Sequence, residues 1–453
     1  MANCLKCGTP LPAFSFGDNS PLCNDCRAQT ETELTRQETA PRRPRLWDDL
    51  PPAADSGPAW LTATHFLVAI NVAVFAVMVG TGVSFMLPSS EHLTRWGSDN
   101  GPLTLGGQYW RSVTSAFVHI GIIHLALNMW CLLALAQPLE RLLGKLTTVL
   151  VYIVTAVGAS LLSLWWSPIR NGAGASGAIF GIAGVLISFF YFAKLDLPKT
   201  RVKGILGWVV RFAVMNLIIG LAWRINNMAH LGGLLTGLVL GFFFAHSYSA
   251  PMEERRTRQV IAAAGLSVAL AAMFPLLVKA KALDLEIYEG EVLQQSADYT
   301  AAIPHFQKAV ALRPKDPQIH GALGYALAGA HRYSEAMTEY QYALTLQPDF
   351  PWVQVNMAAT LLGQGHPDQA VALFKKMAGK ITWESEDFRY FGEALRMTGS
   401  LTEAETALKK AIELDPKDAR PHQQLAIVYR QMGRNGDADT EAKSALSLDR
   451  QKK

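Results

Sequence analysis

The hydrophobic pattern divides the chain into three unlike stretches. Between about residues 60 and 280, apolar runs of roughly 20 residues, the length that crosses a bilayer, alternate with short polar loops. Seven runs are read as spans: Leu61–Leu87, Ser112–Gln137, Leu146–Trp166, Ser176–Ala193, Gly204–Trp223, Met228–Ala245 and Val260–Ala280. The fourth and sixth are short and rich in Gly and Ala, which lets backbones pack closely. Beyond Lys281 the pattern turns amphipathic and helical. Before residue 60 it is polar.

The last stretch repeats. Pro314 and Pro348 stand 34 residues apart, Pro416 lies two such periods further on, and Arg450 one more. Ala302, Ala336, Ala370, Ala404 and Ala438 keep the same step, as do Gly290, Gly324 and Gly392, with Ala358 and Ala426 between them. A 34-residue period with small residues where two helices cross resembles the tetratricopeptide repeat. Five repeats fit between Lys281 and Arg450, the third irregular at Thr382. The resemblance implies an α-solenoid whose concave face takes a protein or peptide ligand.

Composition agrees: half of the residues are hydrophobic and 17% are charged, below the usual ~25%. The net charge of +4 gives no case for nucleic acid. Its placement says more. Basic residues cluster before span one (Arg42, Arg43, Arg45), after span two (Arg141, Lys145), after span four (Lys194, Lys199, Arg201, Lys203) and after span six (Arg255, Arg256, Arg258). All four loops fall on one side, which the positive-inside rule makes cytoplasmic. The N-terminus is then cytoplasmic and the repeats periplasmic or extracellular, as in a bacterial inner membrane. Arg42, Arg43 and Arg45 could also touch anionic lipid.

Four of the five cysteines lie near the N-terminus as Cys4-x2-Cys7 and Cys23-x2-Cys26, fifteen residues apart. This is the spacing of a closed, structural four-thiolate zinc site. Gly8 and Asn24 suit its turns. Two disulfides or four free thiols are the other readings, and a cytosolic location disfavours disulfides. Cys131, alone in a span, reads as core.

Candidate chemistry sits inside the spans. Gly174-Ala175-Ser176-Gly177 opens span four, His124-x3-Asn128 lies in span two, and Ala229-His230-x2-Gly233-x3-Gly237 opens span six. A G-x-S-x-G elbow belongs between a strand and a helix in soluble hydrolases; here a membrane helix follows it. The loop charges place Ser176, His124 and His230 at similar depth, toward the outer face.

Together with Trp110-Arg111 in the first outer loop and Glu140–Gly144 at the end of span two, these motifs resemble the rhomboid intramembrane serine proteases over roughly Leu61–His246. The resemblance implies an all-α, polytopic bundle: a six-helix core (60–247), a basic loop with a seventh span (248–280), a cytoplasmic zinc-ribbon-like knuckle (1–28), a flexible linker (29–59) and a repeat domain (281–453). It implies a Ser176–His230 dyad without an acidic third member. The oxyanion donors would be His124, Asn128 and the Ser176 backbone N–H, with active-site support from Gly174, Gly177, Phe180, Gly233, Gly237 and His119. Many members carry tyrosine where Phe180 stands. Substrates would be transmembrane proteins, and catalysis would need no cofactor. The runner-up from another class is an inactive rhomboid-like scaffold that binds transmembrane clients.

Overall fold

The computed structural model describes residues 3–7, 9–10, 22–23, 25–30, 50, 62–169, 171–222, 226–379 and 382–451. The linker expected over 29–59, with Arg42, Arg43 and Arg45, lies outside these residues apart from Gln29, Thr30 and Leu50. So do the turn residues Gly8 and Asn24. Among the described residues the regular structure is helical, apart from two isolated antiparallel bridges, Asn3–Pro10 and Asp99–Gly172.

Among the described residues seven helices form the apolar part: α1 (Ala63–Gly80), α2 (Ile122–Leu143), α3 (Lys145–Trp166), α4 (Ser176–Phe192), α5 (Lys199–Ala222), α6 (Asn227–Ser247) and α7 (Met252–Gln295). Six are long and apolar enough to cross a membrane, and α4 is a shorter apolar helix of 17 residues. α4 is the centre of the bundle, with nearly all of its residues buried. It packs on α6, α3, α5 and α2. A helix with no lipid-facing stripe can be apolar all round, and α4 is.

Glycines set the spacing of this core. A Cβ on Gly233 would lie 1.9 Å from the Gly177 carbonyl oxygen, and one on Gly237 1.9 Å from that of Gly181. On the α3 side, a Cβ on Gly158 would lie 1.9 Å from Thr236 Oγ1. Backbones therefore meet directly along α4 and α6.

Two helices differ in extent from the spans expected there. Span two, expected at Ser112–Gln137, is α2 from Ile122 to Leu143. Residues 111–117 form short turns of the loop between α1 and α2 instead. Pro138 lies inside the helix without ending it; Gly144, at φ +86°, ends it, its N–H donating to the Glu140 carbonyl at 2.8 Å. The seventh span, expected over Val260–Ala280, is part of a longer helix: α7 runs unbroken from Met252 past Ala280 to Gln295. Nothing between Leu276 and Glu289 breaks a helix; only the apolar pattern stops there. α7 has 44 residues, so it is about 66 Å long. Its first part packs on α3, α6 and the loop between α1 and α2, and its last part on the next helix of the chain.

That last part is the first helix of the repeat array. The array continues as α8 (Tyr299–Leu312), α9 (Pro317–Gly329), α10 (Tyr333–Leu346), α11 (Pro351–Gly363), α12 (Pro367–Met377), α13 (Ser385–Met397), α14 (Leu401–Leu414), α15 (Ala419–Gln431) and α16 (Asn435–Gln451). Ala302, Ala336, Ala370, Ala404 and Ala438 are all fully buried. Gly290, Gly324 and Gly392 sit against Phe306, Tyr340 and Leu408, where a Cβ would come within 2.7 Å, 2.6 Å and 2.6 Å. The 34-residue period is thus a register of helix crossings. In the irregular third repeat Trp383 packs among Phe374, Phe388 and Phe391.

Candidate active site and N-terminal cysteine cluster

Ser176 is the first residue of α4, and His230 lies in the first turn of α6. The direct backbone contact of these helices brings the two side chains together: His230 Nε2 lies 3.0 Å from Ser176 Oγ. The Phe180 ring, one turn along α4, stacks on the imidazole with centroids 4.4 Å apart and planes 6° from parallel. His230 Nδ1 is buried with no hydrogen-bond partner among the described residues. A ring whose Nε2 accepts from a hydroxyl carries its proton on Nδ1.

α4 spans about 26 Å, less than a hydrocarbon core of roughly 30 Å. Its N-terminus can therefore lie within the apolar layer while its other end reaches the interface. The segment Asn171–Ala175 leads into it. Gly174 has φ +122°, a conformation that favours glycine, and a Cβ there would lie 2.5 Å from the His124 ring. His124 Nδ1 accepts from the Ile120 backbone N–H at 3.3 Å. That leaves Nε2 as the protonated nitrogen on the side of Gly174.

Asn128 lies one turn past His124 on α2, is buried, and donates through Nδ2 to the His124 carbonyl at 2.9 Å. His119 is fully buried against the segment that leads into α4: its Nε2 accepts from the Ala175 N–H at 3.5 Å and its ring lies 5.4 Å from that of His124. The structure thus brings Ser176 and Phe180 against His230, and His124 and His119 against Gly174 and Ala175, with Asn128 one turn past His124 on the same face of α2. Gly177, Gly233 and Gly237 form the floor between α4 and α6.

Sequence reasoning missed several buried contacts that tie the helices and the loop after α1 together. Arg111 is buried; its Nε donates to Gln108 Oε1 at 2.8 Å, and its Nη1 donates to the Thr94 and Ser98 carbonyls at 2.7 and 3.1 Å. Tyr152 on α3 donates to the Ala116 carbonyl at 2.8 Å and accepts from Asn71 Nδ2 at 3.2 Å. Glu140 does more than end α2. Its carboxylate accepts from the Ala63 and Thr64 N–H groups at 2.8 and 2.9 Å and from the Thr64 hydroxyl at 2.7 Å. It thereby caps α1, where the helix dipole favours an anion. No local sequence signal reveals these long-range partners.

At the N-terminus the four Sγ atoms of Cys4, Cys7, Cys23 and Cys26 all lie within 4.8 Å of one another. Sulfurs tetrahedrally placed about 2.3 Å from a zinc ion would be roughly 3.8 Å apart, so the set fits such an ion. The Cys23 N–H donates to Cys4 Sγ at 3.2 Å and helps pull the Cys4 thiol down to about 6, while hydrogen bonds with Cys23 and Cys7 push the Cys26 thiol up to about 12. A second group, Glu286, Glu289 and His305, is also compact. Here the 34-residue period supplies the reason: His320–Glu339 (2.6 Å) and His422–Glu441 (2.5 Å) pair at equivalent crossings, and His305–Glu286 (2.8 Å) is the same pair with its ends exchanged.

Comparison with known proteins adds the following. A Rhomboid domain model matches residues 106–247, and tetratricopeptide-repeat models match residues 289–351, 327–380 and 392–433. RHOMBOID-like protein 6, mitochondrial, of Arabidopsis thaliana is 31% identical over 227 residues, 44% of this chain and 73% of that protein. Rhomboid protease GluP of Bacillus subtilis (strain 168) is 31% identical over 214 residues, covering 47% of this chain but only 40% of GluP. Rhomboid protease AarA of Providencia stuartii is 29% identical, covering 41% of this chain and 73% of AarA. Among solved structures, MamA 41-end from Desulfovibrio magneticus RS-1 aligns over 38% of this chain and 96% of its own, with 19% identity and a TM-score of 0.33.

Proposed function

The chain belongs to the rhomboid family, and on that premise we propose that it is an intramembrane serine endopeptidase acting through Ser176 and His230. The carrying observation is the 3.0 Å contact between Ser176 Oγ and His230 Nε2, made across a helix pair that glycines bring into backbone contact.

The proposed reaction begins from the Ser176–His230 contact. Ser176 Oγ attacks the substrate carbonyl carbon while its proton passes to His230 Nε2, and the carbonyl π pair becomes an oxyanion. Preorganised donors stabilise that charge. The Ser176 N–H, free at the first turn of α4, His124 Nε2–H and the Asn128 amide supply them. When the C–N bond breaks, His230 returns its proton to the departing amine. Water then attacks the acyl-enzyme, gives its proton to His230 and releases the carboxylate, and Ser176 recovers its hydroxyl. Phe180 holds the imidazole plane in place of an acidic third member.

Substrates in this reading are transmembrane proteins that enter from the lipid past α5. The repeats recruit a substrate or adaptor on the outer side. The cysteine knuckle, with a structural zinc ion, faces the cytoplasm of a bacterial cell. Because α7 is continuous into the array, a truncation that tests recruitment should end after Gln295, not at Lys281.

The test of the dyad is labelling with a fluorophosphonate, which reacts with activated serines. The reading predicts one adduct, on Ser176, lost in His230→Ala. An adduct elsewhere, or one indifferent to His230→Ala, contradicts it.

A further inference from the structure

The mechanism leaves unused one deeply buried carboxylate close to the site, Asp99 in the first outer loop. It is 3% exposed. Its Oδ2 accepts from Ser160 Oγ on α3 at 2.6 Å, and its Oδ1 accepts from Thr104 Oγ1 in the outer loop at 2.8 Å. Its backbone pairs both ways with Gly172: Asp99 N–H to Gly172 O at 2.8 Å, and Gly172 N–H to Asp99 O at 2.7 Å. Gly172 lies four residues before Ser176, in the segment that sets where α4 begins. Next to it, the Gly174 N–H donates to the Ser115 carbonyl at 2.9 Å, and Asn171 Nδ2 reaches the Ser90 carbonyl and Thr94 Oγ1 at 3.1 and 3.0 Å. The outer loop thus grips the nucleophile segment at successive residues, and Asp99 also ties that grip to α3. The α3 end of the tie is at the right level, since a Cβ on Gly177 would lie 2.5 Å from Ala159 Cβ, the neighbour of Ser160.

We propose that Asp99 is a positioning residue for the proposed peptidase: by fixing its own backbone between Ser160 and Thr104, it holds Gly172, and through it Ser176, in register with His230. This rests on the peptidase reading above. Burial pushes the Asp99 carboxyl up to about 6, with the two hydroxyls and Arg111 opposing the rise. Filling the space requires no such group; leucine would fill it. What leucine lacks is the pair of acceptors that joins two separate elements.

The experiment compares kcat and KM for cleavage of a single-span substrate by full-length wild type, Asp99→Ala, Asp99→Leu, Asp99→Asn and Ser176→Ala, per amount of folded protein. Hydrogen exchange at the Gly172 amide is followed in parallel. Asp99→Ala and Asp99→Leu should lower kcat by about 10- to 100-fold, the effect of misplacing reacting groups by up to an ångström, with KM little changed and Gly172 exchanging faster. Asp99→Asn should keep most of kcat, since its amide accepts from Thr104 and donates to Ser160. If Asp99→Ala does not fold, Ser160→Ala should move kcat and Gly172 exchange in the same direction, by less. A wild type that cleaves, beside Asp99→Leu at the same rate or Asp99→Asn as impaired as Asp99→Leu, overturns the positioning role alone. A wild type that cleaves no better than Ser176→Ala overturns the peptidase reading itself.

Discussion

Gly233→Ala is the sharpest perturbation of the α4–α6 contact. The added Cβ would lie 1.9 Å from the Gly177 carbonyl oxygen, whereas real Cβ atoms essentially never come closer than 3.0 Å. The obstacle is backbone, which cannot rotate away as a side chain can. The helices must therefore part by at least 1.1 Å, the difference of those two distances. Gly233 is one turn from His230 on α6, and Gly177 is adjacent to Ser176 on α4, so the displacement falls on the dyad. A contact of 3.0 Å becomes one of about 4 Å, beyond the roughly 2.6–3.2 Å within which a base can take a proton. The expected loss is about 100-fold in kcat, with about 1–3 kcal/mol of stability lost to overpacking. The assay is cleavage of a single-span substrate in detergent, with thermal unfolding alongside. Gly265→Ala on α7 is the control, since a Cβ there meets nothing within 4 Å. A Gly233→Ala enzyme within a few-fold of wild type would refute the claim that this contact sets the dyad distance.

Other sites give separable outcomes. Glu140→Ala strips the cap from α1 and leaves the Ala63 and Thr64 N–H groups without their acceptor; it should cost about 1–3 kcal/mol of stability, seen as a lower unfolding midpoint with kcat per folded molecule unchanged. Phe180→Ala removes the ring stacked on His230 and should lower kcat by about tenfold, equivalent to ~1.4 kcal/mol, whereas Phe180→Tyr, which keeps the ring, should stay near wild type. Metal analysis of the purified chain should find one zinc per molecule, lost in Cys4→Ser with Cys26→Ser, while cleavage by the membrane core persists.

How much of this was legible in the sequence depended on the range of the interactions. Ser176 stood out because of its flanking glycines and the family resemblance of the motifs, and His230, Gly233 and Gly237 because helix periodicity converts spacing directly into a shared face. The repeat columns stood out for the same reason, and their alanines are fully buried. The partners of Glu140 and Tyr152, and the Ser160 partner of Asp99, did not, because each of these bonds joins residues 36 to 81 positions apart with no periodicity to predict it. The continuity of α7 was hidden differently. The change from lipid-facing to solvent-facing residues near Ala280 resembles a domain boundary in hydropathy, yet a helix needs no polarity of either kind to continue. Span two was misplaced because apolar residues 112–121 serve the outer loop, where burial against α3 and Gly174 calls for them as much as lipid does.

The most direct measurement is cleavage of a model single-span membrane substrate by the purified full-length chain, wild type beside Ser176→Ala. The account predicts a product from the wild type, with its new N-terminus in or next to the substrate's transmembrane segment, and none from Ser176→Ala. The same product from both proteins, or from neither, would contradict it.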